Sequence, residues 1–236
     1  MPQDSPSKST LRSVTLAFET YAGLTRLASD SEVQQPGGKL LYVNGLYEEQ
    51  RAFAVAANIA GAATLAASDR AADLREAQRE GAIDFLVNSL DEALRILKNE
   101  IRKHEPVAVA VSLAPAVVEN EMLERGVLPD LLPEEPSYSR AISAFLSQGA
   151  KQVQPAVMQP AWRFLIWSAP QKFAQNMAGF DTFLNENLAP VDHLNRRWLR
   201  LSPRYLAPAA RRLRSLACDE ATAAKLIAEL GKPLDL

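Results

Sequence analysis

From residue 39 to residue 147 the chain alternates short apolar runs with segments of helical periodicity, and that alternation leaves few folds open. The runs are Lys39-Leu-Leu-Tyr-Val-Asn44, Ala62 to Ala67, Ile83 to Val87, Val107 to Leu113 and the brief Leu131-Leu132. Short continuous apolar runs of this kind mark strands covered on both faces. Between them lie the alanine-rich Tyr47 to Ala60, the charged Asp69 to Glu80, a helix through Lys103, a helix opened by Pro115 and ended by Gly126, and Tyr138 to Ser147. Strand and helix units in series imply crossovers and parallel pairing. The predicted class is α/β, a Rossmann-like doubly wound parallel sheet.

Local signals support these bounds. Gly81 sits where a helix C-cap glycine is expected. Ser89-Leu-Asp-Glu92 reads as a capping box, after which Leu90, Leu94, Leu97 and Ile101 form one apolar face. Upstream, Val14, Phe18, Tyr21, Leu24 and Leu27 recur at helical spacing, which predicts a helix from Leu11 to Ser29. Met1 to Thr10 is polar and reads as a frayed tail, with no apolar stretch of a secretory signal. The alternation fades near Gly149. Beyond Gln154 come prolines, three tryptophans (Trp162, Trp167, Trp198), helix-start signals at Ser202-Pro203 and Asp219, and a stop at Gly231. The expected organisation is a tail over 1–10, a Rossmann-like domain over 11–153 and a mainly helical region over 154–236.

Composition narrows the function classes. With 47% apolar and 23% charged residues, the chain can bury a core and is not disordered. A net charge of -2 gives no global pull toward nucleic acid or an acidic membrane, and neither partner is expected. No apolar stretch is long enough for a membrane span. The single Cys218 rules out an intramolecular disulfide and a Cys-rich metal site, suits a reducing cytosol and sits in an expected helix. A cytoplasmic location is expected.

Several segments, taken in order, resemble the NAD-binding Rossmann-like domain of urocanase (urocanate hydratase). Phe18-Glu-Thr-Tyr-Ala22 is similar to the Y-E-T-F-A stretch before that family's first strand. Gly38-Lys-Leu-Leu-Tyr-Val-Asn-Gly45 resembles its G-K-L-V-V-T-A-G strand. Asp84 with Ser89-Leu-Asp-Glu-Ala-Leu94 resembles Y-L-D and S-L-D-E-A-L, and Arg125-Gly-Val-Leu-Pro-Asp130 fits R-G-V-x-P-D. The likeness covers about the first two-thirds of the chain and is nearly gapless from Gly38 to Arg140. It implies the fold. In that family it also implies water addition to urocanate with NAD as the electrophile.

The departures fall on the chemistry. The family's first strand runs into G-L-G-G-M-G-G-A-Q, and here the stretch is Gly45-Leu-Tyr-Glu-Glu-Gln-Arg-Ala-Phe53. Glycines in such loops permit φ > 0 and let backbone N–H groups approach a pyrophosphate. Tyr47, Glu48, Gln50 and Arg51 replace four of them. Side chains there fill phosphate space, and each non-glycine residue held left-handed would cost about 1–2 kcal/mol. Arg51 would offset part of the repulsion from Glu48 and Glu49. Further on, Leu113-Ala114 replaces G-N, and Leu132-Pro-Glu-Glu-Pro-Ser-Tyr-Ser-Arg140 replaces V-T-D-Q-T-S-A-H-D. Only Ser137 keeps its identity there, Glu134 keeps the aspartate's charge, and Ser139 takes the histidine position. The family domains that complete the active site have no counterpart in these 236 residues.

The expected function is therefore that of a binding or interaction protein that has lost NAD and urocanate hydration, with no cofactor and no metal. Catalytic residues are not assignable. A remodelled crevice of Gly45, Leu46, Tyr47, Glu48, Arg51, Glu134, Ser137 and Tyr138 is the candidate site. Its two glutamates, Glu48 and Glu134, suit an amine-bearing ligand better than a phosphate. Alternatives are an enzyme or small-ligand binder using that crevice, a residual NAD-dependent lyase, or an accessory of a full-length urocanase. A homodimer or protein partner is expected through the Trp/Arg-rich C-terminal region. Its arginines (Arg196, Arg197, Arg200, Arg204, Arg211, Arg212, Arg214) read as polar helix faces pairing with the first domain, or as an anion-binding surface. His104 reads as a helix-terminal histidine, and Asp192-His193 as a weak base-and-orienter pair.

Overall fold

The computed structural model describes residues 6–29, 36–135, 139–158 and 161–235. These divide into two compact units, one of residues 20–156 and one of 1–19 with 157–236. The helix α1 (Lys8–Ser29) contributes to both.

The unit of residues 20–156 is a parallel sheet flanked by helices. Its strands are β1 (Leu40–Val43), β2 (Ala63–Ala67), β3 (Phe85–Val87), β4 (Ala108–Val111), β5 (Leu131–Pro133) and β6 (Lys151–Val153), in the order β3-β4-β2-β1-β5-β6. Every pairing is parallel. β1, β2 and β4 are buried along their whole length, as continuous apolar runs require. Between the strands run α2 (Glu48–Ala60), α3 (Ala71–Glu80), α4 (Leu90–Lys103), α5 (Pro115–Glu124) and α6 (Arg140–Ser147).

The direction of travel assigns the helices to faces. The chain first moves outward past β2 to β3, then returns through β4 and crosses to β5 and β6 on the other side of β1. Right-handed crossovers then put α2 and α3 on one face and α4, α5 and α6 on the other. The core agrees. Leu40, Tyr42, Leu65, Val109 and Leu132 from alternate strand positions pack with Leu94, Leu97, Met122, Ile142 and Phe145 from α4, α5 and α6. α2 contacts β1 and β2.

The Rossmann-like class is thus observed, with refinements. β6, a short polar edge strand, adds a sixth member beyond the five apolar runs. Ser89 caps α4 by accepting from the Glu92 N–H at 3.3 Å, but Glu92 reaches back to the N–H of Asn88, at 3.0 Å, rather than to that of Ser89. His104 ends α4 in a left-handed conformation (φ 58°), alone among the described non-glycine residues.

The other unit is mainly helical, with α7 (Met177–Glu186), α8 (His193–Tyr205) and α9 (Glu220–Leu230). It also holds an antiparallel pair, β7 (Trp162–Ser168) and β8 (Leu213–Asp219), that the sequence pattern had not suggested. Leu165, Trp167, Leu216 and Cys218 pack with Phe180, Leu184 and Leu226 on one side of this pair. Phe18 of α1 stacks on Phe164 at 4.6 Å and meets Trp198 edge-on at 5.1 Å. Cys218 therefore lies on a strand, not a helix. Ser202-Pro203 does not start a helix either. Pro203 sits near the end of α8, where a missing N–H costs only one bond, and the start is Asp192, whose carboxylate accepts from the Asn195 N–H at 3.0 Å. Asp219 caps α9 through the Thr222 N–H as expected. Among the described residues no helix is long and apolar enough to cross a membrane.

Candidate functional site

In an open parallel sheet, ligands bind outside the carboxyl ends of the strands where the strand order reverses. Here the reversal lies between β1 and β5. The walls of that crevice are the exit of β1, through Asn44 and Gly45, and the exit of β5, through Glu134 and Glu135.

Gly45 turns the chain with φ 140°, and a side chain at that point would meet the Tyr47 ring at 3.2 Å. Leu46 is buried beneath the turn. Tyr47 is the N-cap of α2 in an extended conformation, without a side-chain cap bond. The helix begins at Glu48 and is closed at once by the Arg51 N–H donating to the Tyr47 carbonyl at 3.0 Å. Tyr47, Glu48, Gln50 and Arg51 therefore avoid left-handed backbone altogether. The expected strain of about 1–2 kcal/mol per residue is absent, because the glycine-loop positions have become an ordinary first helical turn.

Arg51 does not face the crevice acids. Its guanidinium donates to Glu80 at 2.7 Å and to the Leu46 carbonyl at 2.9 Å, tying the turn to the end of α3. Glu135 spans the crevice instead. Its carboxylate accepts from Asn44 Nδ2 at 3.0 Å and from Gln50 Nε2 at 3.3 Å, clasping the β5 exit to β1 and α2. Below it, Tyr42 Oη donates to Glu119 at 3.2 Å, and Ser139 Oγ donates to the other Glu119 oxygen at 2.6 Å. Burial, then the Glu119 charge and hydrogen bond and the Glu135 charge, push the Tyr42 phenol well above its usual range. Tyr42, Asn44, Leu132, Pro133, Glu135 and Ile142 enclose a cavity of about 10 Å³, room for one water.

Of the predicted crevice residues, Tyr47 places its ring where a side chain on Gly45 would begin. Leu46 is a buried plug, Glu48 is exposed in the first turn, and Glu134 is exposed with its amide on the Val153 carbonyl. Ser137 and Tyr138 lie outside the described residues. Asn44 and Glu119 were not singled out in the sequence, Gln50 and Ser139 were seen only as replacements of family residues, and Glu135 only as Glu134's neighbour. Nothing local in the sequence pairs them, since the Glu135 bonds join residues 85 and 91 positions apart.

The remaining candidates resolve into structural duties. Asp192 uses its carboxylate on Asn195, whose side chain it holds at 2.7 Å, and His193 is exposed in the first turn of α8. Arg196 donates to the carbonyls of Asn185, Leu188 and Ala189 at the end of α7, and Arg212 to that of Ala174. Arg214 is on a strand and pairs with Asp181 of its own unit rather than with the first domain. Trp167 and Trp198 are buried, while Trp162 is partly exposed. No cluster able to hold a metal occurs among the described residues. Cys218 is buried and its thiol is pushed up to about 12, by burial first and then by Asp219. At pH 8 the folded protein is expected to leave a thiol reagent unreacted while denatured protein reacts within minutes. Above pH 9 the unfolded thiol ionises and the folded one does not, so this group erodes stability as pH rises toward 12.

The motifs shared with a known family also resolve into structure. Asp84 accepts from the Ala108 N–H at 2.8 Å and so starts β4 beside β3. Asp130 accepts from the Leu40 N–H at 2.9 Å and from Lys39 Nζ at 2.8 Å, starting β1 beside β5. Arg125 joins Asp91 at 2.6 Å and Glu121 at 2.7 Å.

A six-stranded parallel sheet with this order and a reversal at β1 defines a Rossmann-like α/β protein. Residues 17–163, well over half of the chain, match the family model of the urocanase Rossmann-like domain. The chain belongs to the urocanase family.

Proposed function

We propose that this urocanase-family protein is a binding and interaction protein of the cytosol that neither holds NAD nor hydrates urocanate. The observation that carries the reading is the rebuilt β1–α2 turn, in which Tyr47 and the first turn of α2 stand where a glycine loop would cradle phosphates. A dinucleotide does not fit those residues. Helix N-termini attract anions by at most about 2 kcal/mol. Glu48 and Glu49 already stand at that end, and one carboxylate facing one phosphate charge at about 5 Å costs about 3 kcal/mol at an effective dielectric near 20. Repulsion from either glutamate outweighs the helix term.

The closed crevice weighs in the same direction. Glu135 accepts from the side-chain amides of Asn44 and Gln50, and among the described residues the cavity beside them, of about 10 Å³, does not admit a substrate ring. The family motifs that persist serve strand starts and helix ends, which accounts for retention of the fold without the chemistry. The test is turnover. Purified protein incubated with urocanate and added NAD should leave the urocanate absorbance unchanged over hours; steady loss that scales with protein would overturn the reading.

A further inference from the structure

The two edges of the parallel sheet differ in kind. β6 is polar, with Lys151 and Gln152 exposed. A lysine on an edge strand guards it against pairing with another chain. β3, at the opposite edge, is Phe85-Leu-Val87 and carries neither charge nor proline. Among the described residues it pairs only with β4. Phe85 is 49% exposed and Leu86 37%. Phe85 and Val87 lie opposite Val109 and Val111, on the face that α4 covers, and Leu86 lies on the other face. An open backbone edge with exposed apolar side chains on both faces suits the addition of another strand.

A strand of three residues offers few main-chain bonds, so a free peptide would gain little there. A second copy of this chain brings its own flanking helices. Both helices beside β3 start acidic and end basic: Asp73 and Arg79 in α3, Asp91 and Glu92 against Arg102 and Lys103 in α4. A two-fold axis beside β3 makes the two copies' strands antiparallel, and their helices with them. Acidic first turns then meet basic last turns on both faces, whereas parallel pairing would set acid against acid. The area is sufficient. α4, of 14 residues, is about 21 Å long, and a helix–sheet–helix sandwich is about 30 Å thick, which gives a face of about 600 Å² per copy. Two such faces reach the lower bound for a stable interface, about 1,200 Å² in total. We propose that this chain forms a homodimer through antiparallel β3–β3 pairing, with Leu86 at the two-fold axis and Phe85 beside Val87 of the second copy. That register sets Asp84 against Asn88 of the second copy, so like charges do not oppose each other along the strands. Glu92, which accepts from the Asn88 N–H at the exit of β3, reaches Lys103 of the second copy. Lys103 pairs with Glu100 on its own helix, an exposed bond that is weak enough to exchange. β4 and β2 separate this edge from the crevice beside β1, so the dimer and the closed crevice stand or fall separately.

Sedimentation of the full chain tests the pairing. Between about 1 and 300 μM it should show a monomer–dimer equilibrium with a Kd on the order of 10 μM. Leu86→Lys brings two lysines together at the axis and should weaken the dimer at least about tenfold. Glu92→Lys and Lys103→Glu should each weaken it about threefold, and the two together should restore it, which general loosening of the fold would not do. All three side chains are exposed. Position is read by cross-linking. Leu86→Cys places two Cα atoms roughly 4.5–5.5 Å apart across the axis, within the span of a disulfide, and should form a covalent dimer under mild oxidation. Val117→Cys, at an exposed apolar site on α5, should not, and the buried Cys218 does not compete. A monomer across the whole range, a dimer indifferent to Leu86→Lys, or equal cross-linking of the two cysteine variants would overturn the β3 pairing.

Discussion

Asp181→Ala should destabilise the C-terminal unit by about 3 kcal/mol, far more than a surface ion pair is worth. Arg214 lies on β8 with its side chain only 5% exposed, and Asp181 on α7 meets it with both carboxylate oxygens, one at 3.1 Å from Nη2. The guanidinium also donates to the Arg211 and Leu213 carbonyls, each at 2.9 Å. Those bonds fix it in place, so it cannot swing into water when its counter-charge is removed. The loss is therefore that of an uncompensated buried charge. Arg214→Met removes the charge and keeps the bulk, and should cost less than Asp181→Ala. All three tryptophans lie in this unit, so urea unfolding followed by tryptophan fluorescence reads it directly. A cost below about 0.5 kcal/mol for Asp181→Ala, or the reverse ranking of the two variants, would show that water screens the pair.

Asn195→Ala should cost about as much, near 3 kcal/mol, for a different reason. The Asn195 side chain is fully buried and serves as a surrogate strand for the outer edge of β8. Its Oδ1 accepts from the Ala217 N–H at 3.0 Å, and its Nδ2 donates to the Ala217 carbonyl at 2.7 Å and to Asp192 at 2.7 Å. Alanine leaves two buried backbone groups without partners, each costing roughly 1–3 kcal/mol. Asn195→Asp should not rescue, because a carboxylate would satisfy the N–H but oppose the carbonyl. The selective readout is hydrogen exchange. The Ala217 amide should lose its protection in Asn195→Ala more than its neighbours Leu216 and Cys218 do; uniform loss across β8 would point to general loosening instead.

The parts of the fold that were legible depend on local pattern. β1, β2 and β4 are covered on both faces, so their apolar runs are unbroken and visible. Ser89 and Asp219 cap their helices through bonds spanning three residues, which a sequence displays directly. What stayed hidden depends on distant partners. β6 is a polar edge whose strand character comes from pairing Gln152 with Leu132. β7 and β8 pair Trp162 with Asp219 across most of the C-terminal region, and β8 carries Arg214 inward because Asp181 is there to meet it. The site divides the same way. The replaced glycines were plain in the sequence, and the helix predicted from Tyr47 to Ala60 is found with its first turn on those positions, none of them left-handed. The Glu135 clasp joins the ends of two strands far apart in sequence and had no local sign.

We propose that the crevice between β1 and β5, lined by Tyr47, Glu48 and Glu49 and clasped by Glu135, does not accept a dinucleotide. Calorimetric titration of the full chain with NAD tests it most directly. The expected result is no saturable heat up to about 1 mM NAD, a Kd weaker than that bound, and no rise in melting temperature. A saturable isotherm with a micromolar Kd and a matching rise in melting temperature would contradict it.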